Sequence, residues 1–274
     1  MTLKSRLSLP AFLWLGVFFI LPLLLILLVS FSARGPYGGV RWGLGLGNYL
    51  RLSDPLYLVL FLRSLAVAGV STLLCAALAF PISWWMARLP RPWQGISVLL
   101  ILIPFWTNIL VRLYAWIFIL GRSGLFNKAA QALGLISAPW EILYTKEAIL
   151  LGLVYGHLPF MILPLYAAME KIDKGLIEAA RDLYASSWQV FLRVILPLSK
   201  PGLVAGAALV FASIPCDFVT PDLLGGAKNM MLGNLIQQQY LTARDWPFGS
   251  AVSLMAMVVI GAGVMVYLRQ ESAS

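Results

Sequence analysis

Charge is what this sequence has least of. Only 11% of its 274 residues are Asp, Glu, Lys or Arg, against about 25% in soluble domains. No stretch between the apolar runs is long enough to bury a soluble core of its own. Acidic residues number 11 against 20 basic ones, a formal net charge of +9. The basic residues are scattered through loops with no run or stripe, so they give no nucleic-acid footprint and fit membrane flanks facing anionic lipid. There is one histidine, and the two cysteines, Cys75 and Cys216, lie inside apolar runs. They read as small core residues, and neither a disulfide nor a metal site is expected. No GxxxxGK[ST] loop, GxSxG elbow or HExxH pair occurs. No catalytic group, cofactor or ATP site is therefore expected in this chain, which is not read as an enzyme.

What is there is apolar. Hydrophobic residues make up 61% of the chain, and the mean hydropathy is +0.87. The fold class expected is all-α, a polytopic membrane protein with about six transmembrane helices, near residues 9–31, 64–87, 96–120, 148–169, 202–220 and 249–268. The first run has about 20 apolar residues, longer than a signal-peptide core, and is read as an uncleaved span. Residues 1–57 then form a first helix with its outer loop, and 58–274 the main transmembrane core. Trp84 and Trp85 beside Arg88 and Arg91 mark an interface. Six spans put both termini on one side with 88–95 and 170–200, where ten Lys/Arg fall in 53 residues. The opposite loops hold eight in 80, so the first side is read as cytoplasmic.

One polar stretch between spans, EKIDKGLIEAARDLYASSWQVFLRVILPLSKP at 170–201, is not written like a loop. Ile177, Ala180, Tyr184, Trp188 and Phe191 recur at the period of one helix face. Ser186 and Gln189 have the spacing of a capping box. A second short helix is predicted from Ser187, stopping before Pro197. A helix–break–helix with apolar residues left over on one face needs a partner.

Glu178-Ala179-Ala180, with Val194, Leu196 and Pro197 at fixed distances, resembles the EAA loop of ABC-importer permeases. That resemblance implies a cytoplasmic coupling helix that docks into a groove of an ATPase. The family usually has glycine where this chain has Tyr184. Either Tyr184 stays helical and the break moves to Ser186, or the local backbone is strained.

Three ionisable residues fall inside spans: Arg112, His157 and Asp217. Such residues are costly in lipid and mark function by default. Asp217 stands in SIPCDFVTP, where Pro215 and Pro221 break the helix, and unwound backbone at membrane depth belongs where it lines a cavity or is buried in protein. Two readings stay open: Asp217 lines a pathway for a cationic cargo, or it neutralises Arg112. Trp106, Tyr114 and Trp116 surround Arg112 in sequence and offer faces to an ammonium group or to the interface. His157 has no second ligand at metal spacing and reads as a hydrogen-bonded structural residue.

LIPFWTNILVRLYAW (102–116), GLVYGHLPFMILPLYAAMEKID (152–173) and the DLLGGAKN and RDWPFGSA pieces of 221–251 resemble spermidine/putrescine (polyamine) importer permeases. They are closer to the permease conventionally called the B subunit than to its C partner. The resemblance implies a bacterial inner-membrane complex of this permease, a second permease, two ATPases that bind ATP and Mg, and a periplasmic polyamine-binding protein. It implies transport by alternating access. The alternatives are an importer for another small solute, such as an opine, amine, amino acid or ferric ion, an importer for an anionic cargo, which Arg112 favours and Asp217 weakens, or a channel-like protein without an ATPase.

Overall fold

The computed structural model describes residues 14–226 and 229–272, with side chains up to 265. The start of the expected first span, its flanking Lys4 and Arg6, residues 227 and 228, and the last two residues lie outside the described part. Among the described residues, five helices are long and apolar enough to cross a membrane, judged by length and composition.

The apolar helix α1 runs Gly16–Ser30. A two-residue antiparallel ladder follows, β1 (Ala33–Arg34) on β2 (Val40–Arg41). Then come α2 (Gly47–Leu52) and the 34-residue α3 (Pro55–Arg88). At 1.5 Å per residue α3 is about 51 Å long, well beyond a hydrocarbon core of about 30 Å. Next are α4 (Arg91–Leu102), α5 (Ile109–Leu120), α6 (Leu125–Ala132) and α7 (Lys146–Met169). The polar stretch holds α8 (Lys174–Asp182), and α9 spans Ser187–Cys216. The chain ends in α10 (Leu232–Leu241) and α11 (Trp246–Ser272).

By internal contacts the chain divides into two compact units. One comprises residues 1–61 and 235–259. Its loops are tied by polar groups that short elements leave unpaired. The Asn48 amide donates to the Ser30 and Ser32 carbonyls, each at 2.8 Å. Arg51 pairs with the buried Asp245 at 2.9 Å and lies 3.9 Å over the Phe248 ring. Asp245 also accepts from the Phe248 N–H at 3.3 Å, within the first turn of α11.

The other unit comprises 62–234 and 260–274. Ala68, Cys75, Ala79 and Met86 form one buried stripe of α3 at steps of seven, four and seven. They join Leu153, Met161 and Leu165 of α7 and Val210 of α9 in one cluster. α7 and α9 approach closely because α9 carries Gly202 and Gly206 four residues apart, a small-xxx-small spacing. A Cβ on Gly202 would lie 2.5 Å from the Pro164 carbonyl oxygen, and one on Gly206 would lie 2.8 Å from Met161 Sδ.

Two expectations change. The third span, read as continuous from 96 to 120, is interrupted: Ile103–Trp106 is a 3-10 turn, Thr107 is extended, and Asn108 restarts the helix by accepting from the Leu110 N–H at 2.8 Å. Pro104 has no N–H to continue the ladder, and Asn108 is a good cap. Conversely, the helix beginning at Ser187 does not stop before Pro197. A π turn at Phe191–Ile195 precedes a further α segment, Leu196–Ser213, in which Pro197 falls in the first turn, where a missing N–H costs little.

Candidate functional site

Two breaks and one close helix approach build a cavity in the second unit. The first break is the 3-10 turn at Ile103–Trp106 that delivers Phe105. The second is the 3-10 turn at Ile214–Cys216, after which Asp217 is extended. Between them runs α7, whose Gly152 lets the neighbouring chain come close: a Cβ there would meet Leu224 at 2.5 Å and Thr220 at 2.7 Å. The cavity encloses about 380 Å³. Phe105, Arg112, Tyr155, Phe160 and Asp217 line it.

Arg112 projects from α5, and its guanidinium carbon lies 4.4 Å from the Phe105 ring centre and 6.0 Å from that of Tyr155. The two rings stack at 6.0 Å, and Trp116 meets Tyr155 edge-on at 5.6 Å. Nε and Nη1 of Arg112 are buried and find no acceptor among the protein's own atoms. The ion pairs among the described residues are Arg51–Asp245 and Arg122–Glu141, so Arg112 is not paired with Asp217.

Asp217 is turned instead to its own backbone. Oδ1 accepts from the Val219 and Thr220 N–H groups at 3.0 and 3.1 Å, and Oδ2 from the Thr220 hydroxyl at 2.7 Å. It caps the short helical piece that follows the break, which is why the chain resumes there. His157 lines the cavity too; its Nδ1 donates to the Leu153 carbonyl at 2.9 Å, one turn back on α7.

Of the residues singled out for this pathway, Arg112 and Asp217 come together in one cavity, while Trp106 and Tyr114 do not line it. Trp106 is 78% exposed, because the 3-10 turn sends adjacent side chains in different directions and gives the cavity Phe105 instead. Tyr155 and Phe160 were not singled out from sequence. α7 runs unbroken through Gly156 and Pro159, and no local sequence pattern says which of its side chains face a cavity.

The second site is the polar stretch. Asp173 opens α8 by accepting from the Gly175 N–H at 2.9 Å. Ile177 is buried with Val190 and Ile195, and Phe80, Trp84 and Ala180 pack against them. α8 ends in a two-bond reversal: the Tyr184 N–H donates to the Arg181 carbonyl at 2.9 Å and the Ala185 N–H to Ala180 at 3.1 Å. This is a Schellman ending, whose pivot residue is usually glycine. Here the pivot is Tyr184 at φ 59°. Ser186 and Gln189 complete a reciprocal capping box for α9. The hairpin leaves apolar surface uncovered, with Leu183 82%, Tyr184 98% and Trp188 66% exposed. Glu178, Ala179 and Pro197 are exposed, whereas Ala180 and Leu196 are half-buried.

Residues 39–270 match the family described as binding-protein-dependent transport system inner membrane component. The chain belongs to this family. It is 44% identical over 256 residues to the Escherichia coli spermidine/putrescine transport system permease protein PotB, covering 93% of each chain. The Haemophilus influenzae protein of the same name is 43% identical, over 94% of this chain and 90% of that one. The Escherichia coli inner membrane ABC transporter permease protein YdcU is 31% identical over 90% of this chain and 83% of that one. A crystal structure of a bacterial ABC transporter involved in import of the acidic polysaccharide alginate superposes with a TM-score of 0.80 at 17% identity, covering 99% of this chain and 95% of that one. At that identity the likeness is one of fold. The expected all-α permease fold is thus the fold the chain has, and the chain is a transport component of an inner membrane.

Proposed function

We propose that this chain is one permease subunit of an ATP-driven importer of polyamines, spermidine or putrescine. The observation that carries the reading is the 44% identity, spread over 93% of the chain, to permeases of spermidine/putrescine transport systems. The cavity supports it: stacked aromatics and a carboxylate at a broken helix suit an alkylammonium cargo.

In this reading the subunit forms half of a pathway with a second permease. Two ATPases hold ATP and Mg and receive the 170–201 hairpin through Leu183, Tyr184 and Trp188. A periplasmic binding protein delivers cargo from the other side. The termini lie on the ATPase side, in accord with the Lys/Arg bias. Closure of the ATPase pair opens the cavity outward, and hydrolysis resets it inward.

The test is reconstitution of the purified complex with its binding protein in liposomes. ATP-dependent uptake of spermidine or putrescine is expected. Uptake of an amino acid, opine or ferric ion in its place would assign the cargo elsewhere. Failure of any ATPase to co-purify with the chain would remove the importer reading altogether.

A further inference from the structure

We propose that Arg112 is a resident occupant of the cavity's own cation site and sets the threshold for what can enter it. The inference rests on the cationic-cargo reading above and deepens it. An ammonium group entering this cavity would find its best aromatic surface at Phe105 and Tyr155, which stack at 6.0 Å. That surface is already taken: the Arg112 guanidinium lies 4.4 Å over Phe105.

The way Arg112 is held makes it exchangeable. A guanidinium kept for structure inside a protein is normally tied by several hydrogen bonds to carboxylates or carbonyls. Arg112 Nε and Nη1 have none from the protein, although both atoms are buried. Ring contact is the attraction that remains, and such contacts are individually modest. The guanidinium is therefore held by the same kind of force that an incoming ammonium would use, and by little else.

The cavity also has a place for Arg112 to go. An ionised carboxylate offers about four lone-pair sites, and Asp217 accepts three hydrogen bonds, all from Val219 and Thr220. One acceptor site stays open on a residue that lines the same cavity. When cargo takes the ring face, Arg112 swings to Asp217 and gains the acceptor it lacks. The exchange moves one cation off the rings and another on. A single weak cation cannot drive it against the resident charge, whereas a chain of several ammonium groups brings further contacts along the pathway. Arg112 thus acts as a specificity-determining residue favouring multiply charged amines.

The test uses the assembled transporter in detergent and measures binding of tetramethylammonium, a cation with a single fixed charge, and of spermidine. Arg112→Gln is expected to bind tetramethylammonium roughly tenfold tighter, the scale of one ring contact regained. Adding Phe105→Leu should abolish that gain. Arg112→Met, which keeps bulk without charge, replaces Arg112→Gln if that variant does not assemble. Unchanged or weaker tetramethylammonium binding in the neutral variant overturns the proposal. So does tight acetate or chloride binding by the wild type that is lost with Arg112, since Arg112 would then be an anion ligand. A tetramethylammonium gain in a transporter that takes up no polyamine would leave the resident cation standing and sink only the polyamine reading.

Discussion

Tyr184 and Ser186 divide one turn between them. Tyr184 takes the positive φ that reverses the chain at the end of α8, and Ser186, two residues on, caps α9. The sequence presented these as alternatives, a strained pivot or a break displaced to Ser186. Tyr184 does not stay helical: the backbone is strained there, and Ser186 is a cap all the same, because each serves different orphan groups, the reversal the last carbonyls of α8 and the box the first N–H groups of α9.

A tyrosine at φ 59° is strained where glycine would not be. Tyr184→Gly is expected to stabilise the isolated permease by about 1 kcal/mol, since the exposed ring forfeits little contact within the chain. The same change should weaken ATPase association, because the ring belongs to the uncovered face. Thermal unfolding in detergent and ATPase pull-down check the two halves separately. A stability loss would show that the pivot is not strained.

Ser186→Ala removes one arm of the capping box and should cost roughly 0.5–2 kcal/mol. Ser186→Asp keeps an acceptor at the cap and should restore most of it. The readout is the unfolding midpoint of the purified chain, and equal midpoints for Ala and wild type would contradict the cap's importance.

Ala179 is exposed while Ala180 packs against the chain's own Ile177 cluster. The two alanines therefore separate docking from folding. Ala179→Trp should leave folding intact and reduce transport and ATPase binding several-fold by overpacking the partner contact. Ala180→Trp should lower stability by about 1–3 kcal/mol instead. Transport at wild-type level in Ala179→Trp would argue against docking through this face.

Asp217 caps the segment after the second break, so charge and shape can be varied apart. Asp217→Asn retains the acceptor for Val219 and Thr220 and should fold normally while lowering polyamine uptake. Asp217→Ala loses the cap as well and should cost a further ~0.5–2 kcal/mol. Wild-type uptake by Asp217→Asn would remove its charge from the pathway.

Gly202 lies against the Pro164 carbonyl oxygen, with 2.5 Å left for a Cβ. Gly202→Val should separate α7 from α9 and cost about 1–3 kcal/mol, read as loss of folded protein on gel filtration. Wild-type yield and stability would mean the helices can part without cost at this point.

The spans were legible because some 20 apolar residues in a row allow few other structures. The break at Asp217 was legible too, since two prolines frame a carboxylate. The break after Leu102 was not: Pro104 alone often only kinks a helix, and Asn108 as a restarting cap is visible only once the ladder has stopped. Phe105 lies seven residues before Arg112, which on an unbroken helix would leave the two about 10.5 Å apart on one face, so it is the break that turns this aromatic onto Arg112. Tyr155 reaches Arg112 from another helix, and no local pattern encodes that meeting. Pro197 misled for a related reason, because a π turn just before it supplies a first-turn position that residue spacing does not reveal.

That π turn has a mechanical meaning. By carrying the helix past Pro197, it makes α9 one continuous element of 30 residues from the capping box to Cys216, about 45 Å at 1.5 Å per residue. One end is the uncovered hairpin and the other is the break beside Asp217. No loop lies between them, so a push on Trp188 would be carried through helix, softened at the π turn and at Pro201, toward the 3-10 turn of Ile214–Cys216. α9 is a connecting rod whose joints are the π turn, Pro201 and the 3-10 turn at the cavity wall.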